Sequence, residues 1–255
     1  MTGILAKVRR RARRLWNYRR IKRALEGKHG LEIGGPSGMF SPATPNGYIP
    51  PIYSIAASVD NCNFATNTTW SQGEAGRSFR YLLDAEPGMQ YIHDATDLGS
   101  IADGSYDFLL ASHILEHVAN PLRALAEFHR VVKPGGYLLI AVPDRKYTFD
   151  HRRPVTTFAH LETDLAANTG ESDTTHLEEI LALHDLEMDK PAGSAEEFRA
   201  RCLRNAEVRC MHHHVFDLEL LDRALRHTGF SPLYGTDAWE LHVLIFARRN
   251  SGATV

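Results

Sequence analysis

Leu31-Glu32-Ile33-Gly34-Gly35-Pro36-Ser37-Gly38 is an apolar strand end that runs directly into a glycine-rich turn. Glycine lets the backbone turn tightly and approach a ligand closely. In an open α/β sheet, ligands sit beyond the carboxyl ends of the strands, where the strand order switches. The turn lacks a Gly-Lys-Ser/Thr ending, which disfavours a phosphate-gripping loop. Asp60 follows Gly38 by twenty-two residues, at the expected end of the next strand. A carboxylate there accepts hydrogen bonds from both hydroxyls of a ribose. On these residues alone a dinucleotide site competes with a site for another adenosine-containing cofactor.

Outward from the turn, strand-like runs alternate with helical stretches, the pattern of βαβ units and a parallel sheet. Residues 31–33 read as the first strand, 53–59 as the second and 90–93 as the third. Residues 106–111 form a continuous apolar run, as in a buried parallel strand. Residues 36–51 hold five prolines and read as a long loop. Residues 121–132 predict a helix with Pro121 in its first turn, stopped by Lys133-Pro134-Gly135-Gly136. Residues 137–142 are the fifth strand. From 144 to 210 there are acidic helical stretches, such as 177–186, and no clear strand. This reads as an inserted lid over the carboxyl ends of the strands. A helix at 217–227 and strands at 232–239 and 241–247 close a seven-stranded sheet.

The chain has 255 residues, 43% of them hydrophobic, enough for one α/β domain with an insert. No apolar run approaches the ~20 residues needed to cross a bilayer, and the basic N-terminus has no apolar signal-peptide core. Three cysteines, Cys62, Cys202 and Cys210, form no C-x-x-C pair, which fits a reducing, cytoplasmic setting. The net charge of −2 hides an asymmetry: residues 1–28 carry +10 and the rest −12. Within 1–28, Ile4, Leu5, Val8, Ala12, Leu15 and Trp16 predict an amphipathic helix with arginines elsewhere on its surface. It is expected to pack on the domain at 29–255. The other uses are docking on an anionic membrane surface or nucleic acid, or contacts in a homodimer.

His93-Asp94-Ala95-Thr96-Asp97-Leu98, Asp103-Gly104-Ser105-Tyr106-Asp107, Ser112-His113-Ile114-Leu115-Glu116-His117-Val118 and the Lys133-Pro134-Gly135-Gly136 turn decide against NAD. Together with 31–38 they resemble the class I S-adenosylmethionine-dependent methyltransferases, well over 31–143 and loosely over 214–247. The resemblance implies a seven-stranded Rossmann-like sheet. It implies Glu32, Gly34, Gly35, Ser37 and Gly38 around the methionine end of S-adenosylmethionine, Asp60 on the ribose, Asp94 and Ala95 at the adenine, and Ser112 near the methionine. Pro36 stands where the family's acidic-x-Gly-x-Gly-x-Gly pattern has its middle glycine, and it removes one backbone N–H.

His113-Ile114-Leu115-Glu116-His117 has the form H-x-x-E-H, which on a helix places three ligands on one face. It also matches an inverted zinc-peptidase motif, but its place after the fourth strand of such a sheet argues against that. Ubiquinone-pathway O-methyltransferases and the plant small-RNA 2′-O-methyltransferase resemble it with E-x-x-E-H, a magnesium site, and His214-Val215-Phe216 resembles a later element of the RNA enzyme. The resemblance implies Glu116, His117, His214 and His113 around a divalent ion, expected to be Mg2+. Imidazole in place of carboxylate admits manganese or zinc. The alternative is a metal-free site with His117 or His113 as general base. Cys202 and Cys210 near 211–214 raise a separate zinc reading. Asp144, in the charged run 143–154, is a further catalytic candidate, and that run resembles bacterial methyltransferases of glycan assembly. The expected reaction is O-methylation of a sugar or oligosaccharide hydroxyl. The alternatives are RNA terminal 2′-O-methylation, small-molecule O-methylation, or a binding subunit without turnover.

Overall fold

The computed structural model describes residues 2–69 and 71–252, with side chains from Arg11 onward. One mixed sheet organises the chain: β1 (His29–Ile33), β2 (Ser58–Asn63), β3 (Gly76–Phe79), β4 (Gly88–Ile92), β5 (Tyr106–Ser112), β6 (Val132–Pro143), β7 (Phe230–Trp239) and β8 (His242–Arg249). Their order is β3-β4-β2-β1-β5-β6-β8-β7. β4, β2, β1, β5 and β6 are parallel, β8 runs antiparallel to β6, and β7 antiparallel to β8. The strand order reverses at β1, and that puts the glycine turn after β1 at the switch point. The α/β class is as expected; the eighth strand is β3, a short edge strand antiparallel to β4.

Both faces of the sheet are covered. On one, α3 (Pro121–Val131), α4 (Phe158–Ala167) and α8 (Leu218–His227) pack Leu125, Leu161 and Leu221 against Leu31, Leu109 and Ile140. On the other, α1 (Thr2–Leu25) and α2 (Ile52–Ile55) bury Ile21, Leu25, Ile52 and Tyr53 against Phe108, Leu139 and Phe246. α5 (Leu177–Leu183), α6 (Ala195–Leu203) and α7 (Asn205–Val208) lie between β6 and α8, with a small core of their own around Ile180, Phe198 and Met211.

Two expectations are corrected. Residues 52–55 are helical and β2 starts only at Ser58, so the strand ends at Asn63 and not at Asp60. In α1 the packed side is Asn17, Ile21 and Leu25, spaced i, i+4, i+8. Of the expected stripe, Ala12, Leu15 and Trp16 face solvent, with Leu15 45% and Trp16 60% exposed; Ile4, Leu5 and Val8 lie outside the described side chains. Among the described residues no helix is long and apolar enough to cross a membrane.

Candidate active site

A cavity of about 980 Å³ opens beyond the carboxyl ends of the central strands, at the upper end of the range for small-molecule sites. Its floor is the turn after β1. Gly34 has φ +77°, and a Cβ there would sit 2.1 Å from Ile114 Cδ1, so only glycine fits. Below the turn, buried Glu32 accepts hydrogen bonds from the Ser37 amide (3.0 Å) and the Tyr53 hydroxyl (2.7 Å). Burial pushes its carboxyl up to about 8, against those two bonds. The Gly35 amide donates to Asn61 Oδ1 at 2.8 Å. Gly34, Ser37 and Gly38 line the cavity, whereas Glu32 and Gly35 stand behind it and shape the turn.

Of the other residues expected at a cofactor, Asp94, Ala95 and Ser112 line the cavity. Asp94 is already engaged: Oδ1 accepts from the Thr96 amide and hydroxyl, and Oδ2 from Arg209 at 2.7 Å. Burial opposes ionisation of Asp94, but Thr96 and Arg209 outweigh it and hold the carboxyl below its ordinary value. Asp60 does not line the cavity. Its oxygens accept from the Met89 amide and the Tyr106 hydroxyl, because β2 runs three residues further than expected. Asn63 takes the strand-end place in the cavity wall.

The segment after β5 is not the α-helix expected for H-x-x-E-H. His113 adopts a left-handed conformation, φ +54°, and only Leu115–His117 forms a 3-10 turn. His113, Glu116 and His117 all reach the cavity wall. His113 Nε2 is 2.7 Å from His242 Nδ1. Burial, with His242 and His212 beside it, lowers its pKa to about 3, which makes it a poor proton acceptor near neutrality. Glu116 is 2% exposed, and neither carboxylate oxygen accepts a hydrogen bond from another residue. Burial pushes Glu116 up to about 7, with His212 opposing.

The structure groups Glu116 and His117 with His212, one ligand atom of each within 4.8 Å of the others. His212 Nδ1 lies 2.5 Å from Asp150 Oδ2, and Asp150 Oδ1 accepts from buried Arg153 at 3.0 Å. Burial alone would lower the His212 pKa; Asp150, then Glu116, overcome it and raise it. His117 Nδ1 is 3.3 Å from the Met211 carbonyl oxygen. Each imidazole thus has one nitrogen held from behind, the pattern that orients histidine ligands and histidine bases alike. Burial, then His212, holds the His117 pKa well below its ordinary value.

Three of the expected residues stand outside this group: His113, beside it in the cavity wall, and two that lie elsewhere. His214 groups with His160, Asp164 and His176, although its amide donates to the Glu116 carbonyl oxygen at 3.3 Å. Asp144 does not line the cavity: it caps the turn Arg145–Tyr147, accepting from the Lys146 amide at 3.1 Å. Among the described residues neither Cys202 nor Cys210 belongs to a ligand group. The sequence reading missed His212 in this role, as well as Asp150 and Arg209; the three-histidine run was its signal for the first, and non-local contacts define the other two.

The chain is similar to several known proteins. A curated relative, an uncharacterised 37.1 kDa protein in a Streptomyces fradiae transposon, is 48% identical over 44 residues, 17% of this chain. The chain therefore spans only 13% of that protein. Among solved structures, the complex between the Haloferax volcanii Trm112 methyltransferase activator and a candidate methyltransferase aligns at 14% identity. That match covers 96% of this chain and 94% of the other, with TM-score 0.49. An S-adenosylmethionine-dependent methyltransferase from Mesorhizobium loti aligns at 14% identity over 89% of this chain and 93% of the other, with TM-score 0.48. The model of the methyltransferase domain family matches residues 5–234, nearly the whole of the fold and every wall of the cavity but Trp239 and His242. The chain belongs to that methyltransferase domain family.

Proposed function

We propose that the chain is an S-adenosylmethionine-dependent O-methyltransferase acting on a sugar or oligosaccharide hydroxyl, with a divalent cation at the acceptor end of the cavity. The observation that carries this reading is Glu116: a buried carboxylate in the cavity wall that accepts no hydrogen bond from another residue, beside two imidazoles held from behind by Asp150 and the Met211 carbonyl. A buried charge of this kind is costly unless a cation or donor meets it. One carboxylate and two imidazoles suit magnesium less well than manganese or zinc, and three protein ligands leave positions open for an acceptor. A cation there supplies Lewis acidity that lowers the pKa of a neighbouring hydroxyl.

The chain's own residues do the rest. The turn from Gly34 to Gly38 holds the methionine end of the cofactor, and Asn63 and Ala95 flank its adenosine. The sulfonium methyl is already electrophilic, so alignment of the acceptor and exclusion of water are the main tasks. Arg201 and Arg209 in the cavity wall are committed to Asp189 and to Asp94 and Glu171. That favours a neutral polyol over a polyanion such as RNA. The sugar class rests on the resemblance of 143–154 to methyltransferases of bacterial glycan assembly, among them the 1-O-methyltransferase of mycobacterial methylmannose polysaccharide synthesis. A second reading rests on the raised pKa of His212: with Asp150 behind it, His212 takes the hydroxyl proton without a metal.

The test is transfer of labelled methyl from S-adenosylmethionine to a panel of sugars, oligosaccharides and RNA with a free terminal ribose, with and without chelator. Sugar acceptors should be methylated and chelator should suppress the transfer. Methylation of RNA alone overturns the acceptor class. Full activity in excess chelator, lost in His212→Ala, replaces the metal with the histidine base.

A further inference from the structure

A second group of side chains converges away from the cavity. His160 and Asp164 stand one turn apart on α4, His176 immediately precedes α5, and His214 lies in the extended segment before α8. One ligand atom from each of the four lies within 4.8 Å of every other. His160 Nε2 is 2.9 Å from His176 Nε2 and 3.3 Å from Asp164 Oδ2, and His214 Nε2 is 3.7 Å from the same oxygen.

Asp164 is 6% exposed and His214 1%. Asp164 Oδ1 accepts from the Thr169 hydroxyl, yet Oδ2 accepts no hydrogen bond despite two imidazole nitrogens close by. His214 Nε2 lies 3.3 Å from the Ala119 carbonyl oxygen, while its Nδ1 has no partner. A buried carboxylate oxygen without a donor is costly to leave uncompensated. One hydrogen bond, between His160 and His176, joins the group, and Asp164 Oδ2 and His214 Nδ1 are left for a cation.

We propose that His160, Asp164, His176 and His214 hold a structural zinc ion that ties α4 and the start of α5 to the segment carrying His212. Bonds of about 2.0–2.1 Å in a tetrahedral site keep ligand atoms about 3.3 Å apart, and the 2.9 and 3.3 Å separations of His160 Nε2 from His176 Nε2 and Asp164 Oδ2 lie near that value. Three imidazoles and one carboxylate select zinc over magnesium or calcium, which take oxygen ligands. Four protein ligands close the coordination sphere, as in sites that hold structure and do no chemistry. The bound Thr169 hydroxyl is the outer contact that such a carboxylate ligand keeps. His214 is two residues from His212, so the ion fixes the course of the backbone that presents His212 to the cavity. This zinc is independent of the methyl-transfer reading, because no residue of the group lines the cavity.

The test is metal analysis of tag-free full-length protein equilibrated with zinc and desalted, together with visible spectra of the cobalt-substituted protein. The wild type should retain about one zinc equivalent at this group and show the strong visible bands of four-coordinate cobalt. His176→Ala and Asp164→Asn, the latter keeping the Thr169 bond, should each lose one equivalent and those bands. Glu116→Gln should keep this equivalent and those bands, whatever the cavity group gives up. Wild-type protein without zinc, or variants at His176 and Asp164 with undiminished zinc, would overturn the proposal. So would loss of the cobalt bands in Glu116→Gln alone.

Discussion

Glu116 owes its raised pKa to burial, which outweighs His212 and its own backbone amide. Below about pH 7 it is neutral, and only above that does it present charge to a cation or a hydroxyl. Cation uptake at this group should therefore strengthen as pH rises through about 7. Glu116→Gln should abolish that dependence and lower kcat/KM by roughly 10²–10⁴. Binding of S-adenosylhomocysteine, measured by calorimetry, should change little. A glutamine variant with the wild-type pH profile would remove Glu116 from the acceptor end. At this scale the sequence was partly legible. Glu116 and His117 are neighbours in the chain, and their pairing could be read from it. That His212 joins them while His214 joins His160 and His176 depends on chain separations of 38 residues and more, which no local spacing encodes.

At the scale of elements, the described side chains of α1 hold it by one narrow side. Ile21 and Leu25 are fully buried against Phe108 and Phe246, whereas Trp16 is largely solvent-exposed, with Arg20 over its ring. Ile21→Ala or Leu25→Ala should cost about 2–5 kcal/mol in urea unfolding, and Trp16→Ala less than about 0.5 kcal/mol. A large loss in the tryptophan variant would mean that the exposed side also packs. The apolar spacing over 4–16 suggested the opposite side, because periodicity reports a stripe without saying what it meets. The same ambiguity displaced the second strand. Residues 53–59 form a short apolar run that fits helix and strand equally; the first half is helical, and the polar strand end moves from Asp60 to Asn63. Runs with unmixed signals, such as 106–111 and the helix opened by Pro121, came out within a residue.

Across the whole molecule, two sets of buried groups give stability opposite pH slopes. His113 and His242 are held neutral by burial. The unfolded chain takes up protons near pH 6.5 that they refuse, so stability falls as pH drops below that value. Glu32 works the other way. Its folded pKa of about 8 lies above the ordinary 4.5, so its stabilisation is complete below pH 4.5 and is lost as pH rises toward 8. The difference between Glu32→Gln and wild type isolates it. Relative to wild type, the variant should gain up to about 1.4 kcal/mol per pH unit across that window and level off above about pH 8. A constant difference from pH 5 to 9 would show that Glu32 is ionised in the fold. The alternation of strands and helices made the sheet legible at this scale, because each element's signal is local. The cavity's far wall was not, because it is made by long-range return of the chain.

Arg209 stands where that return meets the sheet, stacked over Phe64, paired with Glu171 and holding Asp94 by one oxygen. Asp94 thereby meets the cavity as a carboxylate already fastened to the returning chain, and a load placed on it at one end of the cavity would be felt along the segment that leads to His212 at the other.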